Sequence, residues 1–223
     1  HASMFLDDYW MKNKRSVQRG IDGPVNAWVI PANQRRRADA VDAVNELMRQ
    51  GLEIHRADES FEAGGVEVRA GDYIARADQP FRTLADMYLS LQAFSLDNPR
   101  PYDDTGWTFQ LMRNVTVDAI EDSTVLDRDM TLLTGPARAA GGIAGRGDVV
   151  VVEHTTDNNL MAFRFRNASV PMLAAEEDFT LDGREYRAGA FIIPQADRAA
   201  LEASLVELGL SARATRKVPD VPT

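Results

Sequence analysis

Two histidines each precede a carboxylate by three residues, in His55-Arg56-Ala57-Asp58 and His154-Thr155-Thr156-Asp157. That spacing can present two ligands to one zinc, and His55, Asp58 and His154 together would suit a metal-dependent hydrolase. Against it, His55 alternates with Leu52 and Ile54 on an expected strand, which turns its ring to solvent. Spacings of this kind also arise often without metal. The second motif has another use. Glu153 to Asn159 is a polar loop that follows four valines and opens a helix. A loop at the carboxyl end of a parallel strand is where open α/β sheets bind ligands, and the free N–H groups of the helix suit an anion. On that reading His154, Thr155, Thr156, Asp157, Asn158 and Asn159 form a small-ligand site, with His154 as the leading contact. The commoner use of such residues is local: Asp157 or Asn158 caps the helix and the threonines make turns.

Other chemistries find little support. With no cysteine in 223 residues, disulfides, thiolate metal sites and a cysteine nucleophile are excluded. No Gly-x-Ser-x-Gly elbow occurs. The carboxylates of Asp103-Asp104 and Glu176-Glu177-Asp178 are sequence neighbours, which point apart in an extended segment. Trp107 beside Thr105 is one aromatic at a helix start, a pattern that belongs to cores more often than to sugar platforms. The Gly-rich stretch Ala139 to Gly147 lacks the lysine of a phosphate loop and reads as a flexible connection.

Composition sets the frame. A net charge of −9 and no sustained Lys/Arg stripe argue against nucleic acid as a partner. No apolar run reaches the length of a membrane span. An apolar fraction of 44% is enough for a real core. His1-Ala2-Ser3-Met4 reads as a cloning scar, so a signal peptide would have been removed with the rest.

The elements that would position these residues are written twice. Phe61-Glu62-Ala63-Gly64-Gly65-Val66-Glu67-Val68-Arg69-Ala70-Gly71-Asp72-Tyr73-Ile74 returns 118 residues later as Phe179-Thr180-Leu181-Asp182-Gly183-Arg184-Glu185-Tyr186-Arg187-Ala188-Gly189-Ala190-Phe191-Ile192. Seven of the fourteen pairs are identical, where average usage gives about one. Asp182-Gly183 is a strong hairpin signal. Ahead of each copy stands a strand, a helix and a second strand: Ala27–Ile30, 38–49 and 52–54, then Val149–Val152, 160–167 and 170–172. The second set is about four residues shorter. A helix follows each hairpin, at 81–94 and near Leu201–Leu208. A further helix spans 5–19 with Gly20 as its stop, and another runs from about Thr105 to Arg113.

The expected fold is therefore α/β, a duplicated β-α-β plus β-hairpin plus α unit. Its sheet would be mostly parallel, in a layered α/β/α arrangement with Val149–Val152 as a central strand. The expected modules are 5–118 and 119–217, with a frayed tail at 218–223.

Several segments carry a family resemblance: Tyr9-Trp10-Met11, Ala27-Trp28-Val29-Ile30-Pro31, Phe61-x-Ala63-Gly64-Gly65, Ala70-Gly71-Asp72-Tyr73, Gln79-Pro80-Phe81-Arg82, Arg100 to Thr108 and His154 to Asn159. In this order they resemble the region downstream of the catalytic domain in large bacterial proteins of the zinc carboxypeptidase (carboxypeptidase A-like) superfamily, where a glutamine-amidotransferase-like α/β region often lies. The resemblance spans nearly all of residues 5–217. It implies a secreted or periplasmic parent that hydrolyses peptides with zinc. The family's His-x-x-Glu is not in this sequence, nor is the amidotransferase cysteine. The resemblance thus assigns this chain no catalytic residue and no zinc of its own. It implies a noncatalytic accessory region whose partner is the parent's catalytic domain, with peptide or cell-wall fragments as the ligands to expect at the 154–159 loop.

Overall fold

A computed structural model of the chain describes residues 2–91, 97, 109–195 and 197–223. The Asp103-Asp104 pair, Thr105 with Trp107, and the last residues of the helix expected at 81–94 lie outside them. The fold is mixed α/β and divides into two compact units. One comprises residues up to Gln34 with Asp39–Ala137; the other comprises Arg35–Ala38 with Arg138–Thr223.

In the first unit the order is α1 (Ala2–Asp22), β1 (Ala27–Ile30), α2 (Arg37–Arg49), β2 (Ile54–Ala57), a hairpin arm of β3 (Phe61–Ala63) and β4 (Val66–Val68), β5 (Tyr73–Arg76), α3 (Arg82–Leu89), α4 (Phe109–Arg113), β6 (Asp118–Ile120) and β7 (Met130–Leu132). Its main sheet has the order β6-β1-β5-β2-β7, and every pairing in it is antiparallel. The expected mostly parallel sheet is corrected here, and the reason is topological. β1 and β2 run the same way, as a strand-helix-strand crossover requires, but the crossover skips one position. The strand leaving the arm, β5, fills that gap antiparallel to both neighbours.

The second unit repeats the plan: β8 (Gly142–Gly145), β9 (Val149–Val152), α5 (Asn158–Arg166), β10 (Leu173–Ala174), an arm of β11 (Phe179–Leu181) and β12 (Arg184–Tyr186), β13 (Phe191–Ile193), α6 (Arg198–Leu208) and β14 (Ser211–Thr215). The order is β10-β13-β9-β14-β8, so β14-β9-β13-β10 matches β6-β1-β5-β2 strand for strand. Val149–Val152 is central, but antiparallel to both neighbours. Only β8 and β14 run parallel among the described pairs. Residues 119–137, expected in the second module, instead supply β7 and part of β6 to the first sheet.

The two arms agree in detail. Ala57 N–H donates to the Asp72 carbonyl (2.9 Å) and Gly71 N–H to the Ala57 carbonyl (2.8 Å); Ala175, Ala190 and Gly189 repeat this at 3.0 and 2.7 Å. The Ser60 hydroxyl accepts from Ala70 N–H, and Asp178 does the same for Ala188 N–H. Gly71 and Gly189 have φ of 96° and 88°, a left-handed conformation that favours glycine. The length difference lies in the helix. Val152, opposite Phe191, stands 122 residues after Ile30, opposite Tyr73, whereas Phe191 stands 118 after Tyr73. α2 has 13 residues and α5 has 9.

Each sheet is covered differently on its two faces, which corrects the α/β/α expectation. Under the first arm, Val29, Ile74 and Ile120 pack with Ala63 and Val68. On the opposite face, Trp28 Nε1 donates to Ser90 Oγ just past α3 (3.0 Å). In the second unit, Val150, Val152 and Ile193 pack on Leu160 and Phe163 of α5 and on Leu201 and Leu205 of α6. Val149, Val151 and Ile192 instead meet Leu181 and Tyr186 of the arm. The layers are helix, sheet and hairpin. Period-two alternation of strand side chains produces this split, with the four valines buried on both sides.

Three local expectations also change. Gly20 lies inside α1 rather than stopping it: a Cβ there would fall 1.9 Å from the Ala77 carbonyl oxygen, so glycine permits the close approach. Ala139 to Gly147 holds the edge strand β8, not merely a connection. Arg198 donates to the Ile143 and Gly145 carbonyls, and Glu202 accepts from Ile143 N–H, which closes the outer edge of β8. The tail is anchored, because Val221 packs on the apolar cluster under the arm and the Pro222 carbonyl accepts from Glu176 N–H (2.8 Å).

Candidate functional site

The loop from β9 to α5 holds four residues of the expected ligand site, the first turn of α5 holds Asn158 and Asn159, and most of the six have structural partners. Asp157 is the N-cap of α5: its Oδ1 accepts from Leu160 N–H (3.2 Å). Asn159 Nδ2 donates to the Leu208 carbonyl at the end of α6 (2.9 Å). The Thr156 hydroxyl donates to the Thr155 carbonyl (2.6 Å). His154 Nδ1 lies 2.6 Å from the Ala188 carbonyl oxygen. A carbonyl can only accept, so Nδ1 carries the proton there and Nε2 holds the lone pair in the neutral ring. Gly189 makes room for this ring, since a Cβ would fall 2.6 Å from His154 Nδ1.

Three features of the loop exceed what a cap and a turn need. Thr155 and Asp157 are both 3% exposed, yet Thr155 Oγ1 and Asp157 Oδ2 are buried with no hydrogen-bond partner among the described residues. Thr156 is β-branched and has φ of 65°, a costly backbone choice that concentrates at functional positions. Asn158 is exposed. The strand that leads into the loop is antiparallel to its neighbours, so the parallel-strand argument for a ligand site does not apply to it.

Beside this loop, Glu153 pairs with Arg184 of the arm. Tyr186 is buried beneath the arm and stacks on Phe179, with ring centroids 5.1 Å apart. Its hydroxyl has no hydrogen-bond partner among the described residues, and burial pushes its pKa above the ordinary tyrosine value. Sequence reading passed over Tyr186. Its place opposite Phe179 at the base of a recognisable hairpin was the available signal.

The metal reading does not assemble. Among the described residues no group of three or more His, Asp or Glu side chains is placed to hold a metal. Asp58 accepts from the Thr131 hydroxyl (2.8 Å). His55 is half-buried rather than solvent-facing, with Nδ1 buried and without a hydrogen-bond partner among the described residues. Burial, helped by the Arg76 guanidinium, holds its pKa below the ordinary histidine value. Strand register places His55 at the counterpart of Leu173, and His154 at the counterpart of Ala32.

A second candidate surface lies on α1. Its C-terminal half packs on the first unit: Ser16 and Gly20 are buried, and Ser16 Oγ donates to the Gln79 carbonyl (3.3 Å). Residues 2–12 are exposed all round. Phe5, Leu6, Tyr9 and Trp10 are 68, 67, 60 and 59% exposed. By helical spacing they continue the stripe of Asn13, Ser16, Val17 and Gly20. The face that docks on the fold therefore runs on past it with its largest side chains uncovered. Among the described residues no helix is long and apolar enough to cross a membrane.

No family model matches the chain, and no curated protein or solved structure matches it at a significant level.

Proposed function

We propose that this chain is a noncatalytic accessory region of a secreted or periplasmic zinc carboxypeptidase-like protein. It docks on the catalytic domain and positions it or restricts access to it. The sequence resemblance supplies the partner. The observation that carries the docking is the apolar stripe of Phe5, Leu6, Tyr9 and Trp10, continuous with a face that is already an interface. Burying such a side chain is worth roughly 1.5–3 kcal/mol, from which the cost of association is subtracted. Zinc belongs to the catalytic domain on this reading, and no residue of this chain is assigned to it.

The test is binding of the chain to the separately expressed catalytic domain. Leu6→Glu and Trp10→Glu should each weaken binding at least about tenfold while the melting temperature stays within about 2 °C, because exposed positions contribute little to folding. Binding no tighter than to an unrelated control protein would end the proposal.

A second reading rests on the unpartnered Thr155 Oγ1 and Asp157 Oδ2. A small ligand, with peptide or cell-wall fragments as the class, would satisfy them at the 154–159 loop. Screening such fragments by amide shifts at Thr155–Asn158 tests it: a binder lost in Thr155→Val supports the reading, and no shift at millimolar fragment removes it.

A further inference from the structure

Arg82 opens α3 and is only 4% exposed. Its Nε and Nη1 are buried with no hydrogen-bond partner among the described residues. A charge taken out of water is costly unless it is paired and hydrogen-bonded. The groups around this one are otherwise engaged. Asp86 Oδ2 lies 3.5 Å from Nη1, long for a hydrogen bond, and Asp86 Oδ1 accepts from the Ser90 hydroxyl (3.0 Å). The Trp28 ring centre is 6.0 Å from the guanidinium carbon, at the limit of a cation–π contact. The carbonyls at the end of α1 are taken as well. Asn26 Nδ2 donates to those of Gly20 and Ile21 (3.0 and 3.1 Å), and Gly23 N–H to that of Arg19 (2.9 Å).

The guanidinium forms the buried wall of a pocket of about 210 Å³, whose other walls are Gln18, Arg19, Asp22, Gly23 and Pro24. Gly23 is half-buried and the other four are exposed, so the pocket is reached from solvent. The Asp22 carboxylate accepts from Gln18 Nε2 (2.8 Å), which leaves two guanidiniums against one carboxylate on the wall. The N-cap of α3, Phe81, bonds none of the free N–H groups of the first turn through its side chain, so the helix end adds to the positive field. The volume falls below the roughly 300–1,000 Å³ of sites for drug-sized ligands and suits an ion of a few heavy atoms.

We propose that this pocket binds a small oxyanion, a carboxylate or phosphate group held by the Arg82 fork, with Arg19 at the mouth. The edges of a guanidinium match both groups bidentately. The bound anion would join the last turn of α1 to the first turn of α3. The site uses neither the Phe5–Trp10 stripe nor the 154–159 loop, so the proposal stands apart from both readings of function.

The probes are inorganic phosphate and acetate, each titrated into the isotope-labelled chain at constant ionic strength, with chloride as the control. The Arg82 Nε–H signal and the Gly23 amide should shift and saturate at millimolar probe. Tighter binding of phosphate assigns the site to phosphoryl groups, and tighter binding of acetate assigns it to carboxylates. Arg82→Lys keeps the charge without the fork and should weaken binding about tenfold. Arg82→Met removes the charge at similar volume. The rise in melting temperature that the preferred anion gives the native chain should exceed the rise in Arg82→Met, a difference that subtracts the general stabilisation by excluded salts. The absence of a saturable shift at Arg82 with either anion overturns the proposal. So does chloride that produces the same shift, or an Arg82→Met chain that gains as much from the anion as the native one.

Discussion

In both units the loop that leaves the strand ahead of the first crossover helix must be tied to the exit of the arm, and the two units use different groups to do it. In the first, the buried Asp72 carboxylate accepts from Ala32 N–H (2.8 Å) and Arg69 N–H (2.9 Å). In the second, the counterpart of Asp72 is Ala190, which has no polar group. The tie comes from the loop side instead: His154, counterpart of Ala32, donates to the Ala188 carbonyl. A histidine that looks like chemistry in isolation is thus one of two answers to a structural requirement. What remains unexplained by that requirement is Thr155 Oγ1 and Asp157 Oδ2, and those atoms rather than the imidazole carry the ligand reading.

The sharpest way to break this comparison is to remove both ties. Asp72→Ala removes a buried carboxylate that accepts from two part-buried N–H donors and should cost about 3 kcal/mol in urea denaturation. His154→Ala removes one bond at a half-buried position and should cost about 1 kcal/mol. Equal losses would mean that the two groups are not counterparts.

The matched glycines give a smaller contrast. Gly71→Ala and Gly189→Ala both force a side chain into a left-handed backbone, at about 1 kcal/mol. A Cβ at 71 meets nothing within 4 Å, whereas one at 189 runs into the His154 ring. Gly189→Ala should therefore cost about 2 kcal/mol, and about half of that should vanish in a His154→Ala background. Additive losses in the double variant would show that the ring and the glycine are not coupled.

The smallest expected effect is on pH dependence. Burial and Arg76 lower the pKa of His55, so the unfolded chain binds its proton near pH 6.5 and the folded chain only at lower pH. Between those values the unfolded state holds more protons, and stability falls as pH drops. Asp78, whose pKa is lowered by its hydrogen bond from Arg76, contributes stability that is lost only at lower pH, below the ordinary Asp range. The second unit has Leu173 at the counterpart of His55. Opening of β2 and β5 measured by hydrogen exchange should therefore become easier from pH 7 to 5, and that of β9 and β13 should not. His55→Leu should remove the difference.

The arms were readable from sequence because their information is local. Gly64-Gly65 and Asp182-Gly183 supply the positive φ of each turn, and the alternation of Phe61, Ala63, Val66 and Val68 supplies the face. Strand neighbours were not readable. Whether β1 lies beside β2 or beside β5 depends on pairings across more than forty residues, and both arrangements satisfy the same alternation. β8 was hidden by its glycines, since its partners β14, Arg198 and Glu202 are more than fifty residues away. The prolines of the tail disguised Val221, which packs half-buried against the apolar cluster under the arm. At the candidate site the helix cap at Asp157 was legible from type and position, whereas the acceptor for His154 is a backbone oxygen 34 residues distant.

The four-residue difference between α2 and α5 has a wider consequence. Four residues are slightly more than one turn and about 6 Å of rise, so trimming a crossover by that amount returns the same face to the sheet. A cut of two residues would rotate the buried stripe roughly half-way round. A crossover in this strand order can therefore change length by whole turns and leave the sheet untouched, so an α2 shortened by four residues should fold where one shortened by two does not.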